Sequence, residues 1–218
     1  MPPRTVHHAR SSPSRAIAPR TPRMPRFHGH DSRERVPGNT DVRIIVFDTL
    51  AEKASWLDAQ ASLDALRMGI QKAALSFPSD TAENRARAIQ RWVRDHIHYQ
   101  HDYRVTQALP GEEFADSESI LKRGYDDCDG KSRLFVALIR AAEMIKPLGL
   151  KAEIRPVFKI HPLAFVHVQA VVKWPGSQHV DGADNQGWLI VELILAGCEL
   201  GQDPDSCPRG PKGERIIR

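Results

Sequence analysis

Three residues combine reactive side chains with settings that call for a reason: Cys128, His167 and Glu192. Cys128 lies in Gly124-Tyr125-Asp126-Asp127-Cys128-Asp129-Gly130-Lys131-Ser132. Directly after it, Leu134, Leu138 and Ala141, with Phe135, Ala142 and Ile145, recur at three- and four-residue spacing. That spacing predicts a helix beginning at or just after Cys128. A thiol at such a position meets unpaired backbone N–H groups and the positive end of the helix dipole, a recognised way to lower a cysteine pKa. Most free cysteines are small buried core residues among apolar neighbours. The acidic, glycine-flanked loop sets this one apart.

His167 and Glu192 each interrupt an apolar run, Phe165-Val166-His167-Val168 and Leu189-Ile190-Val191-Glu192-Leu193-Ile194-Leu195. Alternation along a strand puts Phe165, His167 and Gln169 on one face and Val166, Val168 and Ala170 on the other. A lone histidine there is ordinarily a core residue bonded to backbone. An isolated buried carboxylate normally has a partner or stays protonated. If the two strands pair as a hairpin, His167 and Glu192 can be cross-strand neighbours on one face. The roles then follow: thiolate as nucleophile, imidazole as proton carrier, carboxylate as the group that fixes the tautomer and stabilises the imidazolium. Asp126, Asp127 and Asp129 should disfavour the thiolate, so the helix end and His167 have to outweigh them.

The elements that must position these residues read as follows. Val42 to Phe47 is β-prone. Leu50 to Ser76 carries one helical pattern, ended by Phe77-Pro78, and Ser79 or Asp80 caps a second helix finishing near His96. Ser117 to Arg123 reads as a short helix stopped by Gly124. Beyond Lys151 the period becomes extended, with strands at Ala152 to Phe158, Phe165 to Trp174 and Trp188 to Leu195. Pro175 to Gly187 makes a long hairpin loop between the last two. Helices followed by an antiparallel sheet predict an α+β fold with the cysteine helix packed on the sheet. His96, His98 and His101 invite a zinc reading, but solvated residues flanking Ile97 and Tyr99 account for them, and no metal or cofactor is expected. Cys198 and Cys207 are expected to be two free thiols in a loop.

The net charge of +4 is unevenly distributed. Residues 1–40 hold eight arginines against Asp31 and Glu34, with seven prolines and almost no apolar periodicity. Such a segment cannot offset its ordering entropy and is expected to be a disordered arm, able to lie on a nucleic acid or on other proteins. The folded domain is expected over 41–205 and a flexible basic tail over 206–218. Three cysteines have the wrong parity for a disulfide framework and point to a reducing compartment. No apolar run reaches the roughly 18 residues of a membrane span, and the N-terminus lacks a secretory signal. A cytoplasmic protein without membrane partners is expected.

GYDDCDGKSRLFVALIR, Gly124 to Arg140, resembles the nucleophile segment of the transglutaminase-like (papain-like cysteine) superfamily, in particular its bacterial and phage-encoded members. Phe165 to Val172 is similar to that family's histidine strand, Trp188 to Glu192 to its acid strand, and Ile89 to Arg94 followed by Tyr99 to the helix and tyrosine before the cysteine loop. The resemblance implies a Cys128-His167-Glu192 triad. It implies acyl transfer on the amide bonds of a protein or peptide, by hydrolysis or by cross-linking to an amine. Its oxyanion hole would use the backbone N–H of Cys128 with Tyr99 or Gln100. It places the chain in a bacterial cytoplasm or, if phage-encoded, a virion. Two departures stand out. The family's acid is usually an aspartate followed by proline, whereas Glu192 is followed by leucine, and the His167-to-Glu192 connection is long, with Asp181 and Asp184 inside it as alternative acids. The alternative is a non-catalytic virion or assembly protein that uses the same fold as a binding module.

Overall fold

The computed structural model describes residues 31–33, 43–45, 47, 49–100, 114–157, 167–202, 204 and 207–208, with 31–33, 43, 44 and 167 described by backbone alone. Two short strands come first, β1 (Asp31–Arg33) and β2 (Arg43–Ile45), paired antiparallel. Asp31–Arg33 falls inside the segment expected to be a disordered arm. Pairing through backbone groups needs no apolar side chain, which is why the composition of those three residues does not announce it. Residues 1–30 and 34–42 lie outside the described part.

Helix α1 (Leu50–Asp64) starts on Thr49, whose hydroxyl accepts the Glu52 N–H at 3.1 Å. The pattern to Ser76 predicts one helix, but the chain turns after Asp64 and resumes as α2 (Met68–Ala74). The reason is Asp64, whose carboxylate is buried and held by Arg133 Nε at 2.7 Å, Ser117 Oγ at 2.7 Å and Ser117 N at 3.0 Å. Arg67, in extended conformation before α2, also reaches it, at 3.3 Å. Helix α3 (Ala82–His96) is capped by Thr81, not by Ser79 or Asp80; the Asp80 carboxylate instead accepts the Asn84 side-chain amide at 2.6 Å. Then follow β3 (His98–Tyr99), α4 (Ser117–Arg123) and β4 (Tyr125–Asp126). Gly124 stops α4 in the left-handed region at φ 74°, as the sequence predicts.

Helix α5 (Cys128–Ile145) is the centre of the molecule, buried without a break from Asp129 to Ile139. Helices α1, α2 and α3 pack on it from one side and the sheet from the other. That sheet has the order β5 (Lys151–Val157), β6 (His167–Lys173), β7 (Leu189–Val191), all antiparallel, with Ile154 opposite Ala170 and Ala170 opposite Val191. Ala152 and Ile154 of β5, Val168, Ala170 and Val172 of β6, and Leu189 and Val191 of β7 are among its buried positions. The α+β arrangement of helices followed by an antiparallel sheet is therefore as expected. Among the described residues no helix is long and apolar enough to cross a membrane.

Cys198 and Cys207 form a disulfide, their Cα atoms 5.0 Å apart, which corrects the expectation of two free thiols. The chain after β7 folds back on itself at Gly201, so residues nine apart meet at disulfide distance. Cys207 is buried beside Leu195. The pairing also removes the cysteine-count argument for a reducing compartment.

Being buried, α5 must have its charges matched. Arg133 finds Asp64, and Arg140 makes a fork to Asp58 at 2.8 and 2.9 Å. Lys131, with 0 % of its surface exposed, donates to the Ile97 carbonyl at 2.5 Å. Removing one member of a buried pair leaves the other uncompensated. Arg133→Met is expected to cost about 3 kcal/mol in urea unfolding, and Asp64→Leu, which also orphans the buried Ser117 N–H and hydroxyl, to destabilise further.

Burial, chiefly, lowers the Lys131 pKa from 10.5 to about 8, against the pull of Glu192 and Asp95. Between pH 8 and 10.5 the unfolded chain then binds more protons at this residue than the folded one, so stability rises with pH across that window. The unfolding free energy of the wild type is expected to gain on that of Lys131→Met from pH 8 to 10.5, and to run parallel to it below.

Candidate active site around Cys128

Each residue of the acidic loop has a separate task in starting α5. Asp127 is the N-cap: its Oδ1 accepts the Asp129 N–H at 2.9 Å and the Gly130 N–H at 3.2 Å. Asp126, fully buried, accepts the Asp127 N–H at 2.8 Å and Arg123 Nη2 at 2.6 Å. Its carboxylate lies so close to the first turn that a Cβ on residue 130 would stand 2.2 Å from Asp126 Cγ, so only glycine fits there. Asp129 is ion-paired to Lys53, and both side chains are buried. Cys128 is thus the first residue of a rigidly held helix, and its N–H is not among those the Asp127 cap takes up.

Those carboxylates act on the thiol. Cys128 is half-buried and its Sγ lies 3.5 Å from Asp129 Oδ1, as a donor to it. Burial first, then Asp129 and Asp127, push the thiol pKa well above its ordinary value, and Lys53 opposes them. The lowering expected from the helix end is therefore outweighed at this cysteine. Asp127, Cys128 and Asp129 also bring three metal-ligand atoms within 4.8 Å of one another. Both carboxylates there already serve the helix start, one as cap and one as partner of Lys53.

The segment carrying the oxyanion candidates runs beside this loop. β3 and β4 pair in parallel, His98 opposite Tyr125 and Tyr99 opposite Asp126. Gln100 donates its main-chain N–H to the Asp126 carbonyl at 3.0 Å, so the group it can offer a substrate is its exposed side-chain amide. Tyr99 is half-buried. His96 stacks on Trp92 with centroids 5.1 Å apart and its Nδ1 lies 3.0 Å from the Trp92 carbonyl, while His98 is exposed; His101 lies outside the described residues.

His167 is the first residue of β6, opposite Val157, in the same sheet whose buried face packs on α5. Phe165 and Val166 lie outside the described residues. The β6–β7 ladder ends at Ala170–Val191, and Glu192 follows it directly, its carbonyl accepting from Gln90 Nε2 at 3.2 Å. Glu192 is buried, and its Oε1 accepts the Ile194 N–H at 2.6 Å and the Leu195 N–H at 3.0 Å. Those bonds end β7 at Val191, short of the strand expected to Leu195. Among the alternative acids, Asp184 staples its loop through the Gln186 and Trp188 N–H groups, each at 2.8 Å, and both Asp184 and Asp181 are exposed.

Sequence reasoning missed Lys53, Arg123 and Lys131 as parts of this site. Lys53 carried a signal: it falls on the stripe Lys53, Leu57, Ala61, at helical spacing and otherwise apolar. A lysine inside such a stripe implies a buried anion to receive it.

Comparison with known proteins agrees with the geometry at one level. No curated protein and no solved structure matches the chain. The family model of the transglutaminase-like superfamily matches residues 71–192. The match spans Cys128 and His167 and its last residue is Glu192. It covers more than half of the chain, which therefore belongs to the transglutaminase-like superfamily.

Proposed function

We propose that this protein catalyses cysteine-dependent acyl transfer on amide bonds of a protein or peptide, with Cys128 as nucleophile, His167 as proton carrier and Glu192 as the acid that orients it. The observation that carries the reading is the position of Cys128 as the first residue of a buried, carboxylate-capped helix, inside the family match. Attack of the Cys128 sulfur on the amide carbonyl, with its proton passed to His167, gives a tetrahedral oxyanion. The N–H of Cys128 and a side-chain donor from Tyr99 or Gln100 are suited to receive it. His167 then protonates the leaving amine and a thioester remains on Cys128. Water resolving the thioester makes the protein a peptidase or amidase, and a second amine makes it a cross-linker.

A second reading has its own support. The raised thiol pKa suits a protein that keeps the fold as a binding module, a virion or assembly component among the possibilities, with no turnover.

The two readings part at Cys128 and His167. For the enzyme, Cys128→Ala is expected to abolish amide turnover, and His167→Ala to lower kcat by about 100-fold or more. Cys128 should also be alkylated by iodoacetamide at neutral pH at a rate that falls in His167→Ala. Slow alkylation indifferent to His167, with Cys128→Ala fully functional, belongs to the binding module.

A further inference from the structure

Lys53 and Asp129 form a buried ion pair at the first turn of α5 that the proposed reaction does not use. It is an expensive arrangement. Buried pairs seldom gain net stability over apolar packing, and Lys53 stands on the buried stripe of α1 beside Ala54, Leu57 and Ala61. What distinguishes the pair is its position. Asp129 faces Lys53 with Oδ2 and the Cys128 thiol with Oδ1, the latter at 3.5 Å. We propose that Lys53 is a positioning residue of the cysteine site: by holding Asp129 it aims Oδ1 at the thiol and presents the sulfur with a closed ion pair in place of an uncompensated carboxylate.

The other charged groups around the loop are already matched. Asp127 is occupied by the N–H groups of Asp129 and Gly130, and Asp126 on β4 by Arg123 of α4. Lys131 is directed to the Ile97 carbonyl, with Glu192 acting on it. β3 contributes His98 and Tyr99, and His167, the proposed base, begins β6. Lys53 is the cation that lowers the Cys128 pKa against Asp129 and Asp127. It is also sheltered. The Phe114 ring centroid lies 5.7 Å from Lys53 Nζ, and Phe114 packs against Trp56 and Phe47 at 5.1 and 5.8 Å. A charge pair behind aromatic rings is screened less than one at the surface.

The inference deepens the acyl-transfer reading, since it concerns the reactivity of the same thiol, but its readout is thiol titration and not turnover. The pH midpoint of Cys128 alkylation by iodoacetamide is followed in the full chain, with folding checked by thermal melting. Lys53→Met is expected to raise the midpoint by about one unit, and Lys53→Arg, which keeps the charge, to leave it in place. Asp129→Asn should lower it. The double variant Lys53→Met with Asp129→Asn should return towards the wild type, and it serves with Asp129→Asn where Lys53→Met alone folds poorly. An unmoved midpoint in Asp129→Asn, or equal shifts in Lys53→Arg and Lys53→Met, would overturn the role of Lys53. A wild-type chain without amide turnover would sink acyl transfer and leave these shifts standing.

Discussion

A helix buried without a break from Asp129 to Ile139 that still carries Asp129, Lys131 and Arg133, with half-buried Arg140 just beyond, can exist only if its neighbours supply the opposite charges or carbonyls. That requirement organises the rest of the chain. Lys53 and Asp58 of α1, Asp64 at its end, and the Ile97 carbonyl after α3 all point inward at α5. Asp64 also binds the first residue of α4, so one carboxylate joins three helices. These directional contacts fix the axial position and rotation of α5 more tightly than apolar packing alone, and with them the place of Cys128 at its first turn.

The same device sets the chemistry. The loop before Cys128 starts the helix with carboxylates, the natural ligands of exposed N–H groups at a helix end. Burial first, and then those carboxylates beside the thiol, push its pKa up. Rigidity and reactivity pull in opposite directions here. A thiol in this environment becomes a nucleophile only if a base takes its proton at the moment of attack, which is the role proposed for His167. Lys53 limits the conflict by closing the charge of the nearest carboxylate.

What the sequence shows and what it hides divide along physical lines. Helices α3, α4 and α5 are legible because the apolar period of each, and for α4 the stop at Gly124, lie within one short window, although the cap of α3 is Thr81 and not Ser79 or Asp80. The break between α1 and α2 is not, because Asp64, where the chain turns, is held by Arg133, 69 residues away along the chain. The early end of β7 is hidden for a similar reason. Glu192 turns its carboxylate back onto the N–H groups of Ile194 and Leu195, replacing ladder bonds by local ones in a run whose side chains all favour a strand. Cysteine parity misled as well: with Cys128 set aside as the free thiol, the remaining two make an even pair, and they are joined. Cys128 itself is legible from its loop, whereas Lys53 becomes part of the site only when α1 is seen lying against α5.

The proposed nucleophile–base pair depends most on one separation, that between the Cys128 sulfur and the nearer ring nitrogen of His167. A crystal structure of the reduced protein measures it directly. A nucleophile–base pair predicts about 3 to 4 Å with the ring facing the first turn of α5. Side chains on opposite faces of β6 and α5, with the ring unable to reach the sulfur, would contradict it.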